Sequence, residues 1–343
     1  MSSFPTSLPV SRRPDPHDAP ALRWGILGTG WIADKFHASL RHTNQRVVAV
    51  GSRSEESARA FSEARGIARA HGTYEALAAD PDVDVVYVAT PHPQHRDNAV
   101  LAIESGKHAL VEKPFAINTT QSREIADAAR GAGVFAMEAL WSRLLPKWDV
   151  IGQLVRDGAI GDVRGVYSDH GERFAADHRI KRPELAGGAM LDMGLYDVAF
   201  TDMILGPDPD DIAATGWRGP SGVVENIGAS LRYPGGATSI FHTSTDAVLP
   251  VRASVSGTRA SIVVDTPFFM PGPFTLTDFA GHELRYDEER VGHEALYVSV
   301  VEAARCIGDG LTESPTLPLD GSIRRLALMD RIREVIGDHF VME

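Results

Sequence analysis

The chain has 343 residues, enough for about two domains, and no block of basic residues accompanies its net charge of −12. That balance argues against nucleic acid or an anionic membrane surface as partner. Hydrophobic residues make up 43% and charged residues 23%, the proportions of a globular protein with sizeable cores.

Residues 1–20, "MSSFPTSLPVSRRPDPHDAP", are rich in Ser and Pro and read as a disordered extension. Arg12 and Arg13 resemble a twin-arginine export signal, but Pro14-Asp15-Pro16-His17 follows instead of an apolar region. No apolar run reaches the ~18 residues a membrane span needs. Cys306 is the only cysteine, so no internal disulfide forms. These features together point to the cytoplasm.

From Leu22 to about Met137, short apolar strands alternate with helical patterns. The strands are "LRWGILG", then 46–52, 83–91, 108–114 and 134–139; the helices fall at 31–42, 54–65, 73–79, 94–105 and 119–131. Strands rich in Val, Ile and Ala without polar alternation suit a parallel sheet buried on both faces. A doubly wound α/β Rossmann domain over 21–140 is expected.

The first strand runs into Gly28-Thr29-Gly30-Trp31-Ile32-Ala33, a G-x-G-x-x-A turn opening a helix. Gly28 permits the tight turn, and Gly30 lets a pyrophosphate approach the helix N-terminus. Gly28, Thr29, Gly30, Trp31 and Ile32 are therefore candidate cofactor contacts. At the end of the second strand, where NAD enzymes usually place an acid, stand Ser52 and Arg53. A carboxylate would repel a 2′-phosphate and these two side chains would bind it, so NADP is expected over NAD.

The fourth strand ends in Glu112-Lys113-Pro114. Ligands of open α/β sheets bind beyond the carboxyl ends of the strands, so Lys113 is placed to hydrogen-bond a substrate hydroxyl. The competing reading is a salt bridge to Glu112. His92 and His95 with His170 or His178 show no recognised zinc spacing, and no metal is expected.

Beyond residue 150 the strands are closely spaced, more alternating and separated by Gly and Pro turns, which suits a mainly antiparallel sheet. Two helices, near 294–308 and 320–336, close a second domain over 141–343. Gly187 and Gly188 precede the helical pattern "AMLDMGLYDVAF". Asp192 and Tyr196, four residues apart, share one face; Asp197 points about 100° away and is set aside. A capping Asp and a buried Tyr remain the bland alternative. Arg179, Lys181 and Arg182 read as a solvated loop, with binding of a polar substrate or a cofactor phosphate as the alternative.

Three segments, "GILGTGWIA", "VYVATPHPQHRDNAVLAIESGKHALVEKP" and "PELAGGAMLDMGLYDV", together resemble the Gfo/Idh/MocA family of nicotinamide-dependent oxidoreductases. "MEALWSRLLP" is similar to the branch of dimeric dihydrodiol dehydrogenases and NADP-dependent aldose dehydrogenases. The resemblance implies a Rossmann domain followed by an α/β domain with a large open sheet. That sheet packs against another subunit in relatives, so a homodimer or homotetramer is expected. The resemblance places Thr90, Pro91, His95 and Glu112 beside the cofactor and makes Lys113, Asp192 and Tyr196 catalytic. Tyr196 is the proton-transfer residue, its phenol brought toward neutral pH by a nearby ammonium. Trp141 and His170 are candidate substrate contacts, and His170 in place of an aromatic favours a sugar. The implied reaction is NADP-dependent hydride transfer at a secondary alcohol or hemiacetal carbon of a sugar, polyol or trans-dihydrodiol. A non-catalytic NADP-binding regulator, or internal redox with a retained cofactor, stays open.

Overall fold

The structure is a computed structural model and describes residues 4–342. The chain divides into two compact units. One comprises Pro14–Leu144 and His293–Leu326; the other takes the described residues up to Arg13, Leu145–Gly292, and those from Ala327 onward.

The first unit carries six parallel strands: β1 (Arg23–Leu27), β2 (Arg46–Gly51), β3 (Arg69–His71), β4 (Val85–Val88), β5 (His108–Val111) and β6 (Ala136–Glu138). Their order is β3-β2-β1-β4-β5-β6, with the chain reversing direction across the sheet between β1 and β4. Every residue of β4 is buried, as expected of a central strand covered on both faces. Helices α1 (Trp31–Ser39), α2 (Glu55–Arg65), α3 (Tyr74–Ala78), α4 (His95–Glu104) and α5 (Thr119–Ala132) connect the strands. Side chains of Ser54, Thr73 and Asn118 accept the orphan N–H groups that open α2, α3 and α5.

Leu27 lies level with Gly51 and Val88, and Val88 with Val111. Gly28, Ser52, Ala89 and Glu112 therefore leave the sheet at one edge.

The segment from 293 to 326, expected in the C-terminal domain, packs with this unit instead. One cause is a buried ion pair. Arg325, near the start of α9 (Leu319–Val335), donates to Glu138 Oε2 at 2.9 Å, beside the Ser322 hydroxyl at 2.8 Å. The other oxygen of Glu138 accepts the Phe115 N–H at 3.1 Å. Breaking such a pair costs about 3–5 kcal/mol, so it fixes where the segment lies. Ala19 also docks here, buried against Val301 and Ala304 of α8 (Tyr297–Gly308).

The second unit opens with α6 (Pro146–Arg156), a helix the sequence reading did not anticipate. Its eight strands are β7 (Val163–Gly171), β8 (Asp211–Arg218), β9 (Val224–Arg232), β10 (Thr238–Ser244), β11 (Ala253–Gly257), β12 (Ala260–Val264), β13 (Phe274–Asp278) and β14 (Glu283–Tyr286). They form one sheet in the order β14-β13-β12-β11-β7-β10-β9-β8, antiparallel except between β7 and β10. A π-helical turn, Met190–Gly194, leads into α7 (Leu195–Leu205) against β7 and β10.

The sheet's other side exposes Tyr167, Ile240 and Val263 by 45% each, along a groove of about 770 Å³. The extension over residues 4–20 holds no helix or strand, yet Arg12 binds Asp149 of α6 through its backbone N–H at 2.7 Å and its guanidinium at 2.6 Å. Residues 1–3 of that extension lie outside the described residues.

Among the described residues no helix is long and apolar enough to cross a membrane, and no three His, Cys, Asp or Glu side chains cluster as a metal site.

Candidate active site

In the first unit the glycine turn is shaped for close backbone approach. Gly28 has φ +106°, and a Cβ there would sit 2.7 Å from the Ala89 carbonyl oxygen. Gly30 differs: a Cβ added to it would meet nothing within 4 Å. No side chain caps α1 above it. Open space in front of an uncapped nine-residue helix is the cradle a dinucleotide pyrophosphate needs. Thr29 and Ile32 belong to this turn. At the neighbouring strand end, Ser52 is buried and Arg53 is exposed. Burial raises the pKa of the Tyr74 hydroxyl, and the Arg53 guanidinium beside it pulls the other way.

The turn after β4 and the end of β5 are braced together. His95 is buried, with Nδ1 2.7 Å from the Pro114 carbonyl oxygen and Nε2 2.8 Å from that of Thr90. Asn98 donates to the Thr90 hydroxyl at 3.1 Å. Glu112 is also buried, accepting the Tyr87 hydroxyl on one oxygen and the Lys113 backbone N–H on the other at 3.1 Å. His95 and Glu112 thus fix the backbone that presents Thr90, Pro91 and Lys113. The Lys113–Pro114 peptide is cis.

Trp31, 59% exposed, stands at the first position of α1 with His293 edge-on at 4.9 Å. Trp141 is buried and stacks on the same imidazole at 5.7 Å. Glu294, next to His293, is held by Arg41 and by His42 at 2.9 Å. Sequence reasoning missed His293: it belongs to no motif, and only the return of its segment to this unit brings it to the glycine turn.

In the second unit, Asp192 and Tyr196 are both buried, on the π-turn and the first turn of α7. Arg179 grips Asp192 with two parallel bonds, Nη1 to Oδ2 at 3.1 Å and Nη2 to Oδ1 at 2.7 Å. Tyr196 stacks on Phe269 at 4.5 Å, and His170 stacks on Phe269 at 4.4 Å. The rings of His170 and Tyr196 lie 5.4 Å apart. The structure thus brings together His170, Asp192 and Tyr196 and adds Phe269, which no sequence pattern singled out.

One expectation needs correction. The loop holding Arg179, Lys181 and Arg182 is not simply solvated. Lys181 is buried, with Nζ 2.8 Å from Glu225 and 3.2 Å from the Thr245 hydroxyl. Asp197, left out of the candidate site, is fully buried. Its carboxyl closes no hydrogen bond, and the Ser168 hydroxyl lies beside it short of bonding geometry. Burial raises its pKa well above the ordinary carboxyl range, a nearby Asp169 adding to the effect.

Residues 22–140 match the family described as "Oxidoreductase family, NAD-binding Rossmann fold", and residues 148–263 match "GFO/IDH/MocA C-terminal domain". The chain belongs to the Gfo/Idh/MocA oxidoreductase family. Within that family it is 35% identical over 334 residues to trans-1,2-dihydrobenzene-1,2-diol dehydrogenase of Bos taurus, covering 93% of this chain and 98% of the relative. It is 36% identical to the protein of that name in Xenopus laevis, covering 92% and 98%. A solved aldose-aldose oxidoreductase from Caulobacter crescentus superposes with a TM-score of 0.84 at 26% identity, covering 93% of this chain and 98% of that one. As a Gfo/Idh/MocA oxidoreductase, the chain carries a Rossmann domain for a nicotinamide dinucleotide in its first unit.

Proposed function

We propose that the protein is an NADP-dependent dehydrogenase acting on a secondary alcohol or hemiacetal carbon of a sugar, polyol or trans-dihydrodiol. The observation that carries this reading is Asp192. It is a buried carboxylate kept in a bidentate ion pair one turn before a buried tyrosine, in a chain about a third identical to dihydrodiol dehydrogenases. A carboxylate and a phenol on one turn suit a hydroxyl that must be held and deprotonated.

Nicotinamide, when bound, supplies the hydride acceptor. Gly28, Thr29, Gly30, Trp31 and Ile32 cradle the pyrophosphate. Ser52 and Arg53 take the 2′-phosphate, which Arg53 favours through charge-assisted bonds. Thr90 and Pro91 border the nicotinamide ribose, with His95 and Glu112 bracing them. Lys113 hydrogen-bonds the reacting hydroxyl, Asp192 orients it, and Tyr196 accepts its proton. Trp141 and His170 contact the substrate body.

The enzyme works in the cytoplasm as a homodimer or homotetramer. The exposed Tyr167, Ile240 and Val263 face of the second unit is the surface a second copy covers.

The test is NADP and NAD reduction over a panel of aldoses, polyols and trans-dihydrodiols. A higher kcat/KM with NADP is expected, and Arg53→Ala should lower that preference. Lys113→Ala and Tyr196→Phe should cut kcat by roughly 10²–10⁴-fold while cofactor Kd holds. Near-parental turnover in both variants would sink the assignment.

A further inference from the structure

Val251, just before β11 in the second unit, has a strained backbone. Among the described residues other than glycine, only Ala186 and Val251 have a positive φ, and Val251, at +59°, is the β-branched one. A branched side chain avoids the left-handed region. Such a conformation persists where the surroundings over-determine it, and residues of this kind gather at functional sites.

The surroundings here are specific. The Val251 N–H donates to Asp169 Oδ1 of β7 at 2.6 Å. Beside it, the Asp169 N–H donates to the Arg252 carbonyl at 3.0 Å. The Val251 carbonyl accepts the Phe268 N–H at 2.9 Å, and the Phe268 carbonyl accepts the Trp148 indole N–H at 3.2 Å. Phe268 is thus pinned on one side by Val251 and on the other by α6. The next residue is Phe269, whose ring stacks on Tyr196 and on His170. Asp169 and His170 are consecutive on β7, so their side chains leave opposite faces of the sheet. His170 is buried beside Tyr196, whereas Asp169 lines the groove with Tyr167 and Arg252. A carboxylate on the groove face therefore reaches the site face through one strained residue.

We propose that Asp169 is a positioning residue, which holds Val251 in the left-handed conformation and so, through Phe268, sets the Phe269 ring against Tyr196. If Val251 relaxes to a negative φ, its N–H and its carbonyl no longer point at Asp169 and Phe268 together. The backbone that carries Phe269 then shifts, and the phenol of Tyr196 packs against a displaced ring. This inference rests on Tyr196 accepting the substrate proton.

The test uses the full-length protein with NADP and trans-1,2-dihydrobenzene-1,2-diol, and an aldose as second probe. Asp169→Ala should lower kcat by about 10-fold, since a misplacement of about an ångström that starts far from the chemistry is costly. NADP Kd should not move. Asp169→Asn keeps an acceptor oxygen without the charge and should stay close to the parental kcat, which separates the hydrogen bond from the like charge that Asp169 presents to Asp197. Glycine adopts a positive φ without strain, so Val251→Gly added to Asp169→Ala should recover most of the lost kcat. Phe269→Ala should also lower kcat, and Asp169→Ala should add little to it. Near-UV circular dichroism reads the packing of the rings independently of turnover; the spectrum should shift in Asp169→Ala and return with Val251→Gly. Asp169→Thr, a shorter arm with good strand propensity, serves if the Ala variant does not fold. Parental kcat or an unchanged spectrum in the folded Ala or Thr variant, equal losses in Asp169→Asn and Asp169→Ala, or no recovery with Val251→Gly would each overturn the proposal. Parental kcat in Tyr196→Phe would instead overturn the role of Tyr196 on which it rests.

Discussion

Asp197 lets burial be measured as a pH slope. Its carboxyl is fully buried in the second unit, no cation pairs with it, and Asp169 adds a like charge. The protonated form is favoured in the fold, so its folded pKa lies above the unfolded one. Stability from this group is complete below the unfolded pKa of about 4 and declines as pH rises, until the folded carboxyl itself ionises. In that window the unfolded chain binds one proton fewer, and stability falls by about 1.4 kcal/mol per pH unit. Asp197→Asn keeps the shape and cannot ionise, and the Ser168 hydroxyl can accept from its amide. The variant should match the parent near pH 4 and gain on it by about 1.4 kcal/mol for each unit above, up to the pH at which the folded carboxyl ionises. For a domain of 150–250 residues this is roughly 3–6 °C in Tm per pH unit. Thermal unfolding of both proteins at pH 4.5, 5.5 and 6.5 measures it. Parallel Tm curves for parent and variant would refute the account, because they would mean that Asp197 binds its proton equally well in the folded and the unfolded chain.

Gly28→Ala should lower Tm, since its strained φ and the Ala89 carbonyl leave no space for a methyl. Gly30→Ala should fold normally, since its methyl meets only open space, but should weaken NADP binding by filling the cradle; calorimetric Kd values separate the two. Lys181→Ala should destabilise by about 3–5 kcal/mol in denaturant titration by stranding the buried Glu225, and Lys181→Met with Glu225→Leu should recover most of that loss. Lys147 is wholly buried with no hydrogen-bond partner for its amine, and burial lowers its pKa from 10.5 to about 8. A depression of that size costs about 3 kcal/mol below pH 8 and fades as pH rises toward 10.5. Lys147→Met combined with Glu288→Gln, which removes the facing carboxyl, should therefore raise Tm most at pH 7, with the gain shrinking by pH 10.

How far the sequence carries the fold depends on the range of the interaction. β1, β2, β4 and β5 are short apolar runs, and the helices of this unit open on Ser54, Thr73 and Asn118, whereas β3, Arg69–His71, has no apolar run and was not anticipated. The apolar runs and the caps are local signals, legible one segment at a time; β3 forms by pairing with β2 and carries no such signal. The destination of residues 293–326 is not local. It follows from Glu138 meeting Arg325, 187 residues apart, and neither residue announces its partner. α6 was also missed, because Leu145-Pro146 reads as a break when Pro146 in fact occupies the first turn of a helix, where its missing N–H is harmless.

The candidate site divides in the same way. The glycine turn is legible because backbone shape marks it: Gly28 takes a positive φ and Gly30 stands before a helix. Asp192 and Tyr196 stand out by spacing. What surrounds them does not: Arg179 looks like one of three solvated cations, and Phe269 like any core aromatic. Their significance comes from geometry that only the folded unit supplies, a fork closing on Asp192 and a ring held between His170 and Tyr196. A lysine two residues along the same loop tells the two kinds of cation apart. Lys181 spends its charge on a buried carboxylate that has no part in the proposed reaction, whereas Arg179 spends its charge on the carboxylate that does. Removing Lys181 should therefore cost stability, since it strands the buried Glu225, and leave the Asp192 pair in place.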